Sequence, residues 1–148
     1  FFVRLLRDLF SLFPSLRTSP NRMSWQQYVD SNLLGSNCVA KAAILGHDGS
    51  KWAASASFNV TPDEAKKLFS GFSDASTLRA SGIYLAGQKY LTLRADDRSI
   101  YGKKGAAGCI CVKTGKAILV GVYDENTQPG QAANVVEKLA DYLIEQSF

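Results

Sequence analysis

Histidine is nearly absent from this chain: His47 stands alone, in the turn-like stretch HDGS. Cysteine is sparse too, and odd in number, with Cys38, Cys109 and Cys111. Cys109 and Cys111 have one residue between them in an apolar run. The expectation is that they point to opposite faces of a strand and do not bridge each other. All three read as reduced thiols, the usual state in an intracellular protein. A C-x-C spacing without a second histidine makes no structural zinc site, and a cysteine nucleophile finds no base beside it.

Nucleotide-binding loops are missing as well. The stretch KTGKA has Ile110 where a phosphate loop needs glycine, and Ala117 where it needs the Ser or Thr that reaches magnesium. YGKKGAAG spaces its glycines as G-x-x-G-x-x-G, which is not the dinucleotide fingerprint and does not open a helix. Asp96 and Asp97 are adjacent carboxylates, but they sit between Arg94 and Arg98 and read as a solvated ion-pair cluster. No cofactor, no metal and no catalysis are expected. The chain reads as a binding protein.

What is present is an ordinary globular composition. The 148 residues are 46% hydrophobic and 20% charged, enough for one domain with a sizeable core. The formal charge of +4 is unevenly spread. Residues 1–22 hold +3 of it through Arg4, Arg7, Arg17 and Arg22 against Asp8, so the body is nearly neutral. Within the body, Arg79 to Lys116 carries +6 and the chain from Ala117 onward carries −4. A basic excess suggests nucleic acid, but here much of it lies in the leader, and no nucleic-acid partner is expected. The leader is Arg-bearing, acid-poor and amphipathic like an organellar transit segment, and too short and charged to span a membrane. Its other reading is a translated upstream segment or cloning remnant, with Met23 as the natural start. The expected division is an N-terminal extension over 1–22, poorly packed, and one domain over 23–148.

The body is clearly punctuated. Ser24 can cap a helix that runs to about Leu34, with Gly35 stopping it. CVAKAAILG and KWAASASF read as strands joined by the Asp-Gly turn of HDGS. TPDEAKKLFSGF opens a helix with Thr61 at the cap, Pro62 in the first turn and Glu64 completing a capping box. GIYLAGQKYLTLRAD alternates around an AGQ turn, RSIYGKKG is a short strand, and AGCICVKTGKAILVGVYD is two strands folded at KTG. The last helix, QAANVVEKLADYLIEQSF, shows one apolar stripe of Val135, Val136, Leu139, Ala140 and Leu143. The order α-β-β-α-β-β-β-β-β-α predicts an α+β fold, an antiparallel meander with helices on its faces.

Four stretches, MSWQQYVDSNLLG, LAGQKYLTLRADDRSIYGKKGAAG, VKTGKAILVGVYDE and QPGQAANVVEKLADYLIEQSF, follow one another in a familiar order. Together, from Met23 to Phe148, they resemble the profilins, particularly those of plants and protists. The resemblance implies a central antiparallel β-sheet with the N- and C-terminal helices side by side on one face and smaller helices on the other. It further implies an aromatic groove for proline-rich peptides. The lining here would be Trp25, Tyr28, Trp52, Tyr142, Leu143 and Phe148. A polyproline II ligand has little conformational entropy left to lose and presents rings and carbonyls to flat aromatic donors. The plainer reading is that these aromatics pack the two helices together.

Binding of monomeric actin is implied as well. The candidates are Arg94, Arg98, Lys103, Lys104, Lys113 and Lys116 from the basic strands, and Gln128, Gly130, Asn134 and Lys138 near the last helix. Here the plainer reading is solvated lysines on strand edges. The segment Tyr123-Asp124-Glu125-Asn126 lacks the lysine that relatives often carry there. A third implied property is phosphoinositide binding through Arg98, Lys103 and Lys104, overlapping the actin patch. The whole reading is a monomeric, cytoplasmic, cytoskeleton-associated regulator of actin polymerisation. The alternative is a lipid- or scaffold-binding adaptor on the same fold without actin affinity.

Overall fold

The structure, a computed structural model, describes residues 25–148. The expected helix cap at Ser24 and the leader lie outside the described residues. The first helix, α1 (residues 25–36), begins as an α-helix, widens into a π-helical stretch over Tyr28–Leu33 and tightens into a 3-10 turn over Leu34–Ser36. It ends where Asn37 enters the left-handed region at φ 62°, not at Gly35 as the sequence suggested. Asparagine tolerates that conformation because its short amide can bond locally.

The hairpin β1 (Lys41–Gly46) and β2 (Lys51–Ala54) follows. Helix α2 (Pro62–Ser73) has the expected capping box, with Thr61 and Glu64 each receiving the other's backbone N–H. The same Glu64 carboxylate also accepts the N–H groups of Ala86 and Gly87, both at 2.9 Å. Those two residues form the next hairpin turn at φ 52° and 80°, so one carboxylate supports a turn that strains its alanine. A short helix α3 (Ser76–Ser81) lies between, and the sequence reading missed it. Six residues with serines at both ends carry too little apolar periodicity to stand out; Leu78 alone anchors them in the core.

Strands β3 (Ile83–Leu85), β4 (Gln88–Ala95), β5 (Ser99–Lys104), β6 (Ala107–Lys113) and β7 (Ala117–Tyr123) complete a seven-stranded antiparallel sheet in the order β2-β1-β7-β6-β5-β4-β3. From β3 to β7 it is the expected meander. The N-terminal hairpin departs from it by joining through β1 to β7, six residue pairs in continuous register. Helix α4 (Pro129–Glu145) closes the chain.

Two apolar clusters flank the sheet. One lies under α2 and α3 and includes Leu68, Phe72, Tyr90, Ile100, Ile118 and Val120. The other lies under α1 and α4 and includes Val29, Leu33, Ile44, Ile110, Leu119 and Val136. Cys109 and Cys111 both belong to the first, which corrects the expectation that they point apart. Residues i and i+2 of a strand share a face. They are free thiols, fully buried, and the neighbouring Cys109 thiol together with burial pushes the Cys111 thiol upward in pKa. On α4 the buried stripe is Ala132, Val136, Leu139, Ala140 and Leu143, with Val135 only half-buried. The helix lies close to the sheet: a Cβ at Gly121 would stand 2.7 Å from Val136 Cγ2.

Candidate functional site

The aromatic residues of the two terminal helices meet. Trp25 and Tyr28 stand three residues apart on α1, one helical turn, so their rings share a face and lie 5.8 Å apart edge to face. Trp25 also lies 4.7 Å from Trp52 on β2 and 5.0 Å from Phe148, while Tyr28 meets Tyr142 of α4 at 6.0 Å. All five rings are half-buried. Gln26 fastens α1 to the sheet edge by donating to the Ala54 carbonyl at 3.0 Å. Burial, and then the neighbouring Tyr142, push the Tyr28 phenol upward in pKa, so it remains a hydrogen-bond donor at any physiological pH.

Phe148 reaches the cluster because the chain doubles back after α4. Ser147 takes the left-handed conformation at φ 69°, and the N–H groups of Ser147 and Phe148 donate to Ile144 and Leu143. This is the Schellman closure of a helix. Lys116, in the β6–β7 turn, then donates its N–H to the Phe148 carbonyl at 2.7 Å. Leu143 differs from the other candidates: it is fully buried and backs the rings from below instead of lining a surface.

The basic candidates are dispersed. Arg98 bonds Asp141 at 2.6 Å and Glu137 at 3.3 Å, which ties β5 to α4 and holds the guanidinium charged. Glu137 also accepts from Ser99 and Tyr101. Arg94 pairs with Asp96 at 3.1 Å and lies over the Tyr101 ring. Lys113 points to the other side of the sheet, over Phe69 and Phe72 of α2. Lys116 lies over Phe148 in the aromatic cluster. Lys103 and Lys104 are exposed at the far end of β5, where Lys104 donates to Gln88. Arg98 precedes that six-residue strand, about 16 Å from them.

The sequence reading passed over an apolar surface beside them. Leu91 and Leu93 on β4 are 64% and 62% exposed, on the sheet face that α4 leaves bare. A β-bulge falls between Thr92 and Arg94, so Leu93 has no partner residue on β5 and is turned outward. Next to it is a shallow depression of about 130 Å³ lined by Leu93, Tyr101, Ile110, Tyr123, Pro129 and Gly130. Gln128 stands at the N-cap of α4, and Asn134 and Lys138 are exposed along the helix one and two turns beyond Gly130. The alternation YLTL hinted at this surface, since it puts apolar residues on both faces of β4.

The profilin family model matches residues 23–148. The chain belongs to the profilin family. It is 67% identical over 126 residues to Profilin-1A of Acanthamoeba castellanii, covering 85% of this chain and all of that relative. The crystal structure of Acanthamoeba castellanii profilin II superposes with a TM-score of 0.83 at 62% identity, over 84% of this chain and all of that one. Mouse profilin IIa, solved in complex with a double repeat from the FH1 domain of mDia1, is 25% identical with a TM-score of 0.72, over 84% of this chain and 99% of that one. The fold expected from the resemblance is the fold observed.

In this profilin α4 connects the two surfaces. Its last turns carry Tyr142 toward the rings, and its first turn carries Gly130 to the depression, about 18 Å away along the axis. Among the described residues no group of His, Cys, Asp and Glu could hold a metal ion, and no helix is long and apolar enough to cross a membrane.

Proposed function

We propose that this profilin, with residues 23–148 as its domain, binds proline-rich segments in the aromatic groove and monomeric actin on the bare sheet face. In doing so it regulates actin polymerisation in the cytoplasm as a monomeric, non-enzymatic protein. The observation that carries the reading is the cluster of five half-buried rings, drawn from the first helix, the second strand and the chain end. Aromatic rings that line a surface jointly, with indole and phenol donors beside them, suit a polyproline II ligand, whose carbonyls are exposed and whose conformation is already extended. The FH1 complex of the mouse relative supports a proline-rich peptide as ligand. For actin, Leu91, Leu93 and the depression supply the apolar centre, while Arg94, Lys103, Gln128, Asn134 and Lys138 form the rim. Lys113 and Lys116 stand apart from that surface.

Both tryptophans belong to the groove, so titration with an oligoproline peptide should change the intrinsic fluorescence saturably, and Tyr142→Ala should weaken binding roughly tenfold. A flat titration, with no bound peptide by calorimetry, would reduce the rings to helix packing. Comigration with actin monomers separates the actin reading from the adaptor alternative. Phosphoinositide binding is a second reading for Lys103 and Lys104, since Arg98 is held by two carboxylates. Unchanged binding of a Lys103→Glu, Lys104→Glu variant to phosphoinositide-containing vesicles would remove it.

A further inference from the structure

We propose that Lys116 makes the aromatic groove selective for proline-rich segments flanked by a carboxylate. The proposal rests on the groove being a proline-rich peptide site. Lys116 is exposed, and its ammonium stands 5.6 Å from the centre of the Phe148 ring. Its backbone N–H meanwhile holds the Phe148 carbonyl. One residue thus fixes the main chain of a groove ring and sets a cation against that ring.

The turn beneath Lys116 is rigid. Thr114 and Ala117 exchange bonds through both the backbone and the Thr114 hydroxyl. The Nε2 of His47 faces two carbonyls, Thr114 O at 3.1 Å and Ala117 O at 3.2 Å, so this nitrogen carries the proton and donates to them. The imidazole is in turn stacked on Phe69 at 4.6 Å. A lysine on so well-anchored a turn has its reach confined to the Phe148 end of the groove.

The negative group beside Lys116, the terminal carboxylate of Phe148, accepts the Lys116 N–H and makes no ion pair with the ammonium. Lys116 has no ion-pair partner among the described residues, in contrast to Arg94 and Arg98. Asp30 on α1 accepts the Gln26 amide, and Lys51 beside Trp52 occupies the opposite side of its strand. A peptide seated against the rings offers neutral carbonyls to indole and phenol donors. A carboxylate just beyond the prolines gives the ammonium more than water does, whereas a basic flank is repelled. Attraction and repulsion add in the discrimination.

The test uses the full chain and oligoproline peptides carrying Glu, Gln or Lys at one flank, with a second set carrying them at the other. Affinity is read by tryptophan fluorescence and calorimetry at about 0.05 M and about 0.5 M salt. At one flank, Glu should bind roughly fivefold more tightly than Lys, and the ratio should shrink at high salt. Lys116→Gln should bring the Glu-to-Lys ratio close to one, and Lys116→Arg should keep it. Equal affinities at both flanks, or a preference that survives in Lys116→Gln, would overturn the proposal and leave the groove reading standing. If none of the peptides bound, the groove reading would fall and the proposal with it.

Discussion

The aromatic groove and the bare end of the sheet are two surfaces built in different ways. The groove takes its rings from residues 25, 28, 52, 142 and 148, so its shape exists only when the two terminal helices and the sheet edge are docked. The leucine surface takes its centre from one strand, β4, where Leu91 pairs with Lys103 of β5 and the bulge leaves Leu93 unpaired and exposed. A site made from distant segments is preorganised by the core beneath it. A site made from neighbouring strands is set by local register. Lesions in the α1–α4 layer should therefore disturb the groove first, and lesions on β4 should leave the groove intact.

The largest expected effect abolishes that distinction. Leu143 is fully buried under the rings, and Leu143→Ala should cost about 2–5 kcal/mol in a urea melt. Because α4 also carries Gly130, both surfaces should weaken together. If peptide binding alone were lost, Leu143 would be a groove contact after all.

The next effects are reciprocal. Trp25→Ala should weaken proline-peptide binding at least tenfold while changing actin affinity less than about twofold. Leu93→Asp should do the opposite, placing a charge in the apolar centre of the surface proposed for actin. Sedimentation with actin monomers and peptide titration on the same two proteins measure both. Equal losses in both assays would mean that the two surfaces are one coupled unit.

A smaller change falls outside both surfaces. Glu64→Ala removes the acceptor shared by the Thr61, Ala86 and Gly87 N–H groups and should cost about 1–2 kcal/mol of stability. Leu91 and Leu93 lie on the strand that leaves this turn, so actin binding should weaken slightly and peptide binding not at all.

The mildest perturbation near neutrality is alkali. Burial raises the phenols of Tyr28, Tyr90, Tyr101 and Tyr123, with Tyr90 at about 12. Below about pH 10, where unfolded tyrosines are protonated, their contribution to stability is fully present. Above it the unfolded chain releases protons that the native chain keeps, so stability falls as pH rises toward the native values. Denaturant melts between about pH 8 and about pH 11 should show a plateau followed by a decline.

Much of the fold was legible because its causes are local. The capping box at Thr61 and Glu64, the Asp-Gly turn before β2 and the apolar stripe of α4 each depend on residues within a few positions of one another. The resemblance also named all five rings, Trp25, Tyr28, Trp52, Tyr142 and Phe148, and the structure brings them into contact. Charge was the poorer guide. The +6 stretch looked like one patch because its residues are near in sequence, yet neighbouring strand positions face opposite ways and a helix supplies carboxylates from far along the chain. Lys113 went to the α2 side, Arg98 to Glu137 and Asp141, and Lys116 to Phe148.

By itself the sequence determined every element but α3, their order and the antiparallel class, because hydrophobic period, caps and turn residues act over a few positions. Tertiary structure alone decided that β1 pairs with β7, that Leu143 lies beneath the rings and that Leu91 and Leu93 stay bare. It also set Lys116 against Phe148. Each of these depends on which surface a helix covers, and that is settled by how whole faces pack, with Gly121 letting α4 lie close enough to cover one end of the sheet and leave the other open.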